Sequence, residues 1–161
     1  MRAGGVFACA AAMALLASPA SAICFARDAS KPGGWDLDRS GPARTFSVDD
    51  EFGRAFIVAK VHVIGAATHM NADGLIGDHT YRVVPQDTFK GPPLAEFTLF
   101  NANNSARFDM EAGKSYLVFA SASGGRSIID ACGWSDPLPA ATETLSKVRD
   151  IAATTRPPSS P

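Results

Sequence analysis

The sequence has no excess of charge of either sign. Its 15 lysine and arginine residues stand against 16 aspartate and glutamate residues, for a formal net charge of −1 over 161 residues. A protein that binds nucleic acid or an anionic membrane surface usually carries a basic excess. Neither is therefore an expected partner.

The sequence also lacks the short motifs of common catalytic sites. It contains no Gly-x-Ser-x-Gly, no His-Glu-x-x-His and no phosphate-cradling glycine loop. The carboxylate pairs Asp36/Asp38 and Asp49/Asp50 are neighbours in sequence only, and we interpret them as solvated surface. We predict no catalytic residue and no cofactor. A secreted enzyme of unrecognised type remains an alternative.

Metal-binding spacing is missing as well. The only three histidines are His62, His69 and His79, and no pair of them has helical or tight spacing, so we predict solvated residues and no metal site. The segment from His69 to Thr80 has part of the order of a calcium loop. Its first carboxylate and its closing glutamate are absent, and a hairpin loop is the predicted structure.

The N-terminus has the order of a secretion signal. Arg2 provides a basic start, residues 6–17 form an apolar run, and Ala20-Ser21-Ala22 has the small-x-small pattern of a cleavage site. The run is too short for a permanent membrane helix, which takes about 20 residues. We predict a signal peptide over residues 1–22, cleaved after Ala22, and a secreted or periplasmic protein without a membrane span.

Two cysteines, Cys24 and Cys132, remain after this cleavage. In an oxidising compartment they most simply form one disulfide. Closing a loop of ~100 residues removes unfolded-state entropy worth roughly 4 to 5 kcal/mol. Lipid attachment at Cys24 would require a small preceding residue, whereas Ile23 is large and branched. A bridged Cys132 carries no thiolate and is not a nucleophile.

Residues 23–153 have the length of one domain, followed by a predicted disordered tail over residues 154–161. Residues 25–44 are polar and show no periodicity, which predicts an irregular N-terminal strap. Ser47 is a plausible N-cap of a short helix ending near Arg54, with acidic residues in its first turn. Apolar residues at helical spacing predict a second helix over residues 140–153.

Five strands are predicted between the helices, over residues 55–65, 79–91, 95–102, 115–122 and 126–132. In the first strand, one face is uniformly apolar; it carries Ile57, Ala59, Val61 and Val63. Pro85 in the second strand favours an edge or a bulge. The pattern is compatible with a small sandwich or with a partly closed Greek-key barrel of the OB type.

The order of these features resembles the bacterial relatives of the tissue-inhibitor-of-metalloproteinase (TIMP, netrin-like) family. The similarity is carried by Cys24, AFIVAKVHVIG (55–65), TFKGPP (88–93), EAGKSYLVFAS (111–121) and IDACGWSDPL (129–138). It implies a mainly β fold, a five-stranded OB-like Greek-key barrel with a C-terminal helix packed on it. It also implies that the N-terminal segment is disulfide-bonded to the far end of the sheet.

The chain departs from the family pattern at two positions. Ala26 stands where many members have the second cysteine of a Cys-x-Cys, and the region of Asn104 stands where its partner would be. Both halves of a second bridge are therefore missing together. This is consistent with the loss of one disulfide and with retention of Cys24 and Cys132.

The resemblance implies an exported protein-binding domain with a protein partner. In animal inhibitors of the family, the amine and carbonyl of an N-terminal cysteine chelate the catalytic zinc of a protease. Here the predicted cleavage leaves Ile23 ahead of Cys24, and metalloprotease inhibition is therefore the alternative function. Ile23, Cys24, Trp35 and Trp134 are the candidate interaction residues. The two tryptophans are either packing residues over the disulfide or binding anchors.

Overall fold

The computed structural model describes residues 46–104 and 106–155, together with the backbone of two short strands, Ala26–Arg27 (β1) and Trp35–Asp36 (β2). These strands pair antiparallel. Part of the N-terminal strap that we predicted to be irregular is therefore a strand pair. The predicted signal peptide, Ile23, Cys24 and the tail from residue 156 lie outside the described residues.

The main sheet has six strands, and two helices flank it in sequence. The strands are β3 (Ile57–Met70), β4 (Ile76–Lys90), β5 (Phe97–Ala102), β6 (Ser115–Ser123), β7 (Arg126–Ile128) and β8 (Asp136–Pro137). Helix α1 (Val48–Arg54) precedes them and α2 (Thr142–Thr155) follows them. Within residues 46–104 and 106–155, no helix combines the length and apolar character needed to cross a membrane.

Five of the six strands form a ring. β3 pairs antiparallel with β4 on one edge and with β6 on the other. β4 pairs antiparallel with β5, β5 pairs in parallel with β7, and β7 pairs antiparallel with β6. β8 pairs antiparallel with the part of β6 that β7 leaves unpaired. The predicted mainly β class with a C-terminal helix is confirmed, as a mixed sheet closed through five strands.

The inner face of the ring holds the first hydrophobic core. Ile57, Ala59, Val61 and Val63 are all buried there, which confirms the predicted apolar face of the first strand. The other members of this core are Tyr81, Val83, Leu99, Met110, Tyr116, Val118, Ala120 and Ile129. Burial raises the pKa of the Tyr81 hydroxyl. Each fully buried aliphatic side chain stabilises the fold by about 1.5 to 3 kcal/mol.

A second core lies between the helices and the outer face of β3 and β6. Val58, Leu117 and Phe119 are buried there against Phe52 of α1 and Val148 of α2. Since Tyr116 and Val118 face the first core, β6 is buried on both faces. This explains why its sequence is a continuous apolar run rather than an alternating one.

Helix α1 is fixed at both ends. The hydroxyl of Ser47 accepts a hydrogen bond from the Asp50 N–H at 3.1 Å, which confirms the predicted N-cap. At the other end, the Lys90 ammonium donates to the carbonyls of Phe52 and Gly53 at 2.7 and 2.8 Å. A hydrogen bond from Lys147 of α2 lowers the pKa of the Asp49 carboxyl.

The long strands β3 and β4 extend beyond their predicted ends. The sequence of residues 66–70 gives no alternation to detect, because all of these residues are exposed. Register shifts interrupt the ladder between β3 and β4 at four places. One lies beside Pro85, where Lys60 pairs with Asp87 and Val61 with Pro85, so of the predicted edge or bulge the structure shows a bulge.

Gly91, directly after β4, provides a test of the packing between β3 and β4. It has φ +107°, and a Cβ built on it would lie 2.9 Å from the Phe56 carbonyl oxygen and 3.2 Å from Ile57 Cγ1. We expect Gly91→Ala to lower the free energy of unfolding by about 3 kcal/mol, because backbone strain and a steric clash add. Urea unfolding measures this loss.

Gly113→Ala is the matched control. Gly113 also has a positive φ, +85°, but a Cβ at this position would have no neighbouring atom within 4 Å. Only the backbone strain should remain, and we expect a loss of about 1 kcal/mol. Equal losses for the two variants would contradict the close approach at Gly91.

Candidate functional site

Cys132 lies on a tight turn that follows β7. The carboxylate oxygen Oδ1 of Asp130 accepts hydrogen bonds from the N–H groups of Cys132 and Gly133, at 2.8 and 3.2 Å. The N–H of Ala131 donates to the Ala106 carbonyl at 2.7 Å. An aspartate that bonds the backbone two residues on is a strong turn former. These bonds fix the backbone at Cys132, and β7 ends at Ile128 rather than at the predicted Cys132.

Helix α1 holds the same turn from the other side. The Glu51 carboxylate oxygen Oε2 accepts a hydrogen bond from the Trp134 N–H at 2.8 Å. A Cβ at Gly133 would collide with this carboxylate. A side chain at position 133 would therefore displace the Glu51 carboxylate from its hydrogen bond, and the turn and α1 are positioned together.

Trp134 packs beneath the turn. Its side chain is partly buried against the second core, and its indole Nε1 donates to the Phe46 carbonyl at 2.7 Å. A partly buried ring that packs on a core and has a satisfied N–H is typical of a packing residue, and these contacts favour that role over a binding anchor. Trp35 lies in β2, paired with Arg27, and its side chain is outside the described residues.

A pocket of about 400 Å³ opens beside Cys132. Phe46, Phe119 and Ile128 contribute apolar walls. The Arg54 guanidinium carbon lies 4.1 Å from the centroid of the Phe46 ring, at a distance typical of a cation–π contact. The pocket thus joins an apolar surface to a cationic rim next to the half-buried cysteine.

Chemically, this arrangement can serve as a rigid attachment point for a disulfide. Because hydrogen bonds on both sides already order the turn, a disulfide formed at Cys132 needs little further ordering of this loop. The predicted partner Cys24 and its neighbour Ile23 lie outside the described residues. The Cys24–Cys132 bridge and the role of Ile23 therefore stay predictions.

The three histidines do not converge. Each bonds a hydroxyl on a neighbouring strand: His62 with Ser115 at 3.2 Å, His69 with Thr80 at 2.9 Å, and His79 with Thr68 at 3.1 Å. In the ladder Thr68 is opposite His79 and His69 is opposite Asp78. His69 and His79 therefore face opposite sides of the sheet.

The hairpin between β3 and β4 confirms the predicted loop. The side-chain oxygen of Asn71 accepts hydrogen bonds from the N–H groups of Asp73 and Leu75, at 3.1 and 2.9 Å. The oxygen that a calcium loop would present to the ion closes the turn instead. In the part of the chain that the structure describes, no group of three or more His, Cys, Asp or Glu side chains is arranged to hold a metal ion.

No protein-family model matches the chain, and a search of curated proteins finds no match. The similarity to the TIMP/netrin-like family therefore depends on the short motifs quoted above.

The contact between Glu51 and the Cys132 turn could not be predicted from the sequence. The two bonded residues, Glu51 and Trp134, are 83 positions apart. Nothing in the sequence around Gly133 identifies Glu51 as the residue that approaches the turn.

Trp134→Phe tests the packing role of this side chain. Phenylalanine keeps most of the buried ring but removes the donor to the Phe46 carbonyl. We expect a loss of about 1 to 2 kcal/mol in the free energy of unfolding, from an unsatisfied carbonyl. Trp134→Ala should lose more, about 3 kcal/mol, because the ring also leaves the core. Urea unfolding followed by circular dichroism measures both.

The opposite result has a clear meaning. If both variants unfold at the wild-type urea concentration and have lost partner binding, Trp134 is a binding anchor and the packing role is wrong.

Proposed function

We propose that this chain is an exported, non-enzymatic protein-binding domain of the TIMP/netrin-like type, built on an OB-type barrel. The order of strand pairing carries the proposal. β3 pairs with β4 and β6, and β5 pairs in parallel with β7. An OB-type Greek-key barrel closes in this order, with its first strand beside the second and fourth and its third parallel to its fifth.

The Cys24–Cys132 disulfide is the second part of the proposal. Cys132 comes directly after the ring closes, on a turn fixed by Asp130 and contacted by Glu51. A disulfide here would fasten the mature N-terminus beside the 400 Å³ pocket. A fastened segment loses little conformational entropy when it binds a partner. Ile23 and Cys24 are therefore the proposed contact residues.

The polar groups around the pocket support recognition rather than catalysis. Glu51 bonds the Trp134 N–H, and Asp130 bonds the N–H groups of Cys132 and Gly133. Each carboxylate holds the backbone of the turn. These hydrogen bonds account for the positions of both acidic residues without assigning either of them a catalytic role.

Metalloprotease inhibition is the more specific form of the same proposal. Zinc chelation through an N-terminus needs an α-amine, whose pKa is about 8, next to a rigid carbonyl. Cleavage after Ala22 gives that amine to Ile23, one residue before the bridged cysteine. Cleavage after Ile23 would give it to Cys24.

The intact mass of the protein, purified after export without a reducing agent, tests the proposal. We expect a chain that begins at Ile23 and carries one disulfide between Cys24 and Cys132. Immobilised in this form, it should retain a protein partner whose binding is then reproduced with the purified partner. Inhibition of a purified zinc protease in a peptide-cleavage assay identifies the inhibitor form.

The double variant Cys24→Ser/Cys132→Ser is the control. It should lose stability by about 4 kcal/mol, the entropy of the open loop, and should bind the partner more weakly. An N-terminus at Ala20 or earlier would exclude zinc chelation. Two free thiols in the exported wild type would contradict the proposal as a whole.

A further inference from the structure

The last part of β3 has one edge without a partner strand among the described residues. The last backbone bonds on that edge are made by Val63, whose N–H donates to the Lys114 carbonyl at 2.9 Å and whose carbonyl accepts from the Gly113 N–H at 2.8 Å. Beyond this point β3 continues through residues 64–70 and pairs only with β4. We call residues 64–70 the free edge.

The other strand of the same hairpin is covered on its outer edge. β5 pairs with β4 as far as Asp78. Asn103 continues the cover toward the tip, since its side-chain amide donates to the Ile76 carbonyl at 2.6 Å and its N–H donates to the Gly77 carbonyl at 3.3 Å. The unpaired backbone groups of the hairpin are therefore concentrated on β3, where they form a template for a further strand.

The free edge lacks the features that usually prevent two edge strands from pairing, which are charged residues, proline and bulges. Its sequence, IGAATHM, contains no lysine, arginine, aspartate, glutamate or proline. Register shifts lie at its two ends only, and the ladder from Gly65 to His69 is regular. Residues 66–70 are all exposed. Five consecutive residues are thus in regular strand geometry and open to another strand.

Exposed apolar side chains are concentrated around this edge. Among the described residues, six large apolar side chains are exposed, and four of them belong to the hairpin; these are Ile64, Met70, Leu75 and Ile76. Met70 has 61% of its surface exposed and lies opposite Ile76 in the ladder. A cluster of exposed apolar side chains beside unpaired backbone groups is typical of an interaction surface.

The free edge is complementary to a second copy of itself. An antiparallel pairing with two-fold symmetry about Ala67 would place Gly65 opposite His69 of the second copy and Ala66 opposite Thr68 of the second copy. The two Ala67 residues would then face each other on the axis. No pair in this register joins like charges, and the small residues at its centre allow the two strands to approach closely.

The same register brings the apolar ends together. Ile64 and Met70 lie three positions before and three positions after Ala67, so Ile64 of each copy would lie opposite Met70 of the other. Ile76, which is opposite Met70 within its own hairpin, would extend each contact by one side chain. Burying these exposed side chains at both ends of the pairing would stabilise the association. This symmetry favours a second copy over an unrelated strand.

We propose that the protein forms a two-fold symmetric dimer by antiparallel pairing of its free edge with the free edge of a second copy. The two hairpins then make one four-stranded ribbon, in the order β4, β3, β3, β4. Ala55, which lines the pocket beside Cys132, comes directly before the other end of β3. The dimer therefore leaves both pockets open and does not depend on the protein-binding role proposed for the Cys132 turn.

Sedimentation equilibrium of the oxidised mature protein tests the dimer. We expect the mass of two chains, decreasing toward one chain on dilution. Ala67→Glu sets two like charges opposite each other on the axis and should weaken association about tenfold or more. Because Ala67 is exposed, the urea midpoint of the monomer should not change. Ala122→Glu, at an exposed alanine of β6, is the matched control and should dimerise like the wild type.

Two results would overturn the proposal. One is a wild type that stays monomeric at every concentration. The other is an Ala67→Glu variant that associates as strongly as the wild type, since the contact would then lie elsewhere on the surface.

A charge-swap experiment tests the register. Ala67→Lys alone should also be monomeric, for the same reason as Ala67→Glu. When the two variants are mixed, a glutamate faces a lysine across the axis, and we expect the mass of two chains to return. A mixture that stays monomeric would overturn the pairing about Ala67.

Discussion

The pairing of β3 on both of its edges is the constraint on which the rest of the structure depends. β3 bonds β4 along one edge and β6 along the other. Its side chains also divide between two cores, because Ile57 and Val61 point inside the ring while Val58 points toward the helices. Removing either pairing would open the ring and expose the first core. The parallel pair of β5 and β7 completes the closure on the opposite side.

Both candidate surfaces follow from this closure. β7 reaches its place between β5 and β6, and the chain then turns at Asp130 and brings Cys132 beside α1. The position of α1 is set by Phe52 in the second core and by Lys90, which caps the last carbonyls of the helix. The free edge depends on the same pairing, since β6 begins opposite His62 and leaves the rest of β3 paired only with β4. The Cys132 turn and the free edge are therefore separate products of one ring.

Local features of the fold could be predicted from the sequence, and distant pairings could not. Ser47 could be predicted as an N-cap and Pro85 as an edge or bulge residue because each acts on its own segment. The alternation of Ile57, Ala59, Val61 and Val63 likewise predicts which face of the strand is buried. The parallel pairing of β5 with β7 leaves no such local trace. It joins Leu99 to Ser127, and nothing in either segment specifies the other.

The candidate sites divide in the same way. The position of Cys132 near the end of the sheet followed from its place in the chain, but its hydrogen-bonded turn and the contact with Glu51 depend on tertiary packing. The free edge could not be predicted either, because nothing in residues 64–70 indicates that the pairing of β3 with β6 ends at His62. The two-residue strands β1 and β2 were missed because so short a pair has no periodicity.

Closure of the ring is tested most directly by nuclear Overhauser effects between backbone protons of the oxidised mature protein. We predict cross-strand contacts between Val61 and Tyr116, which join β3 to β6, together with contacts between Leu99 and Ser127, which join β5 to β7 in parallel. Strong contacts between β3 and β4 without either of these two sets would mean an open sheet. That result would contradict the account of both surfaces.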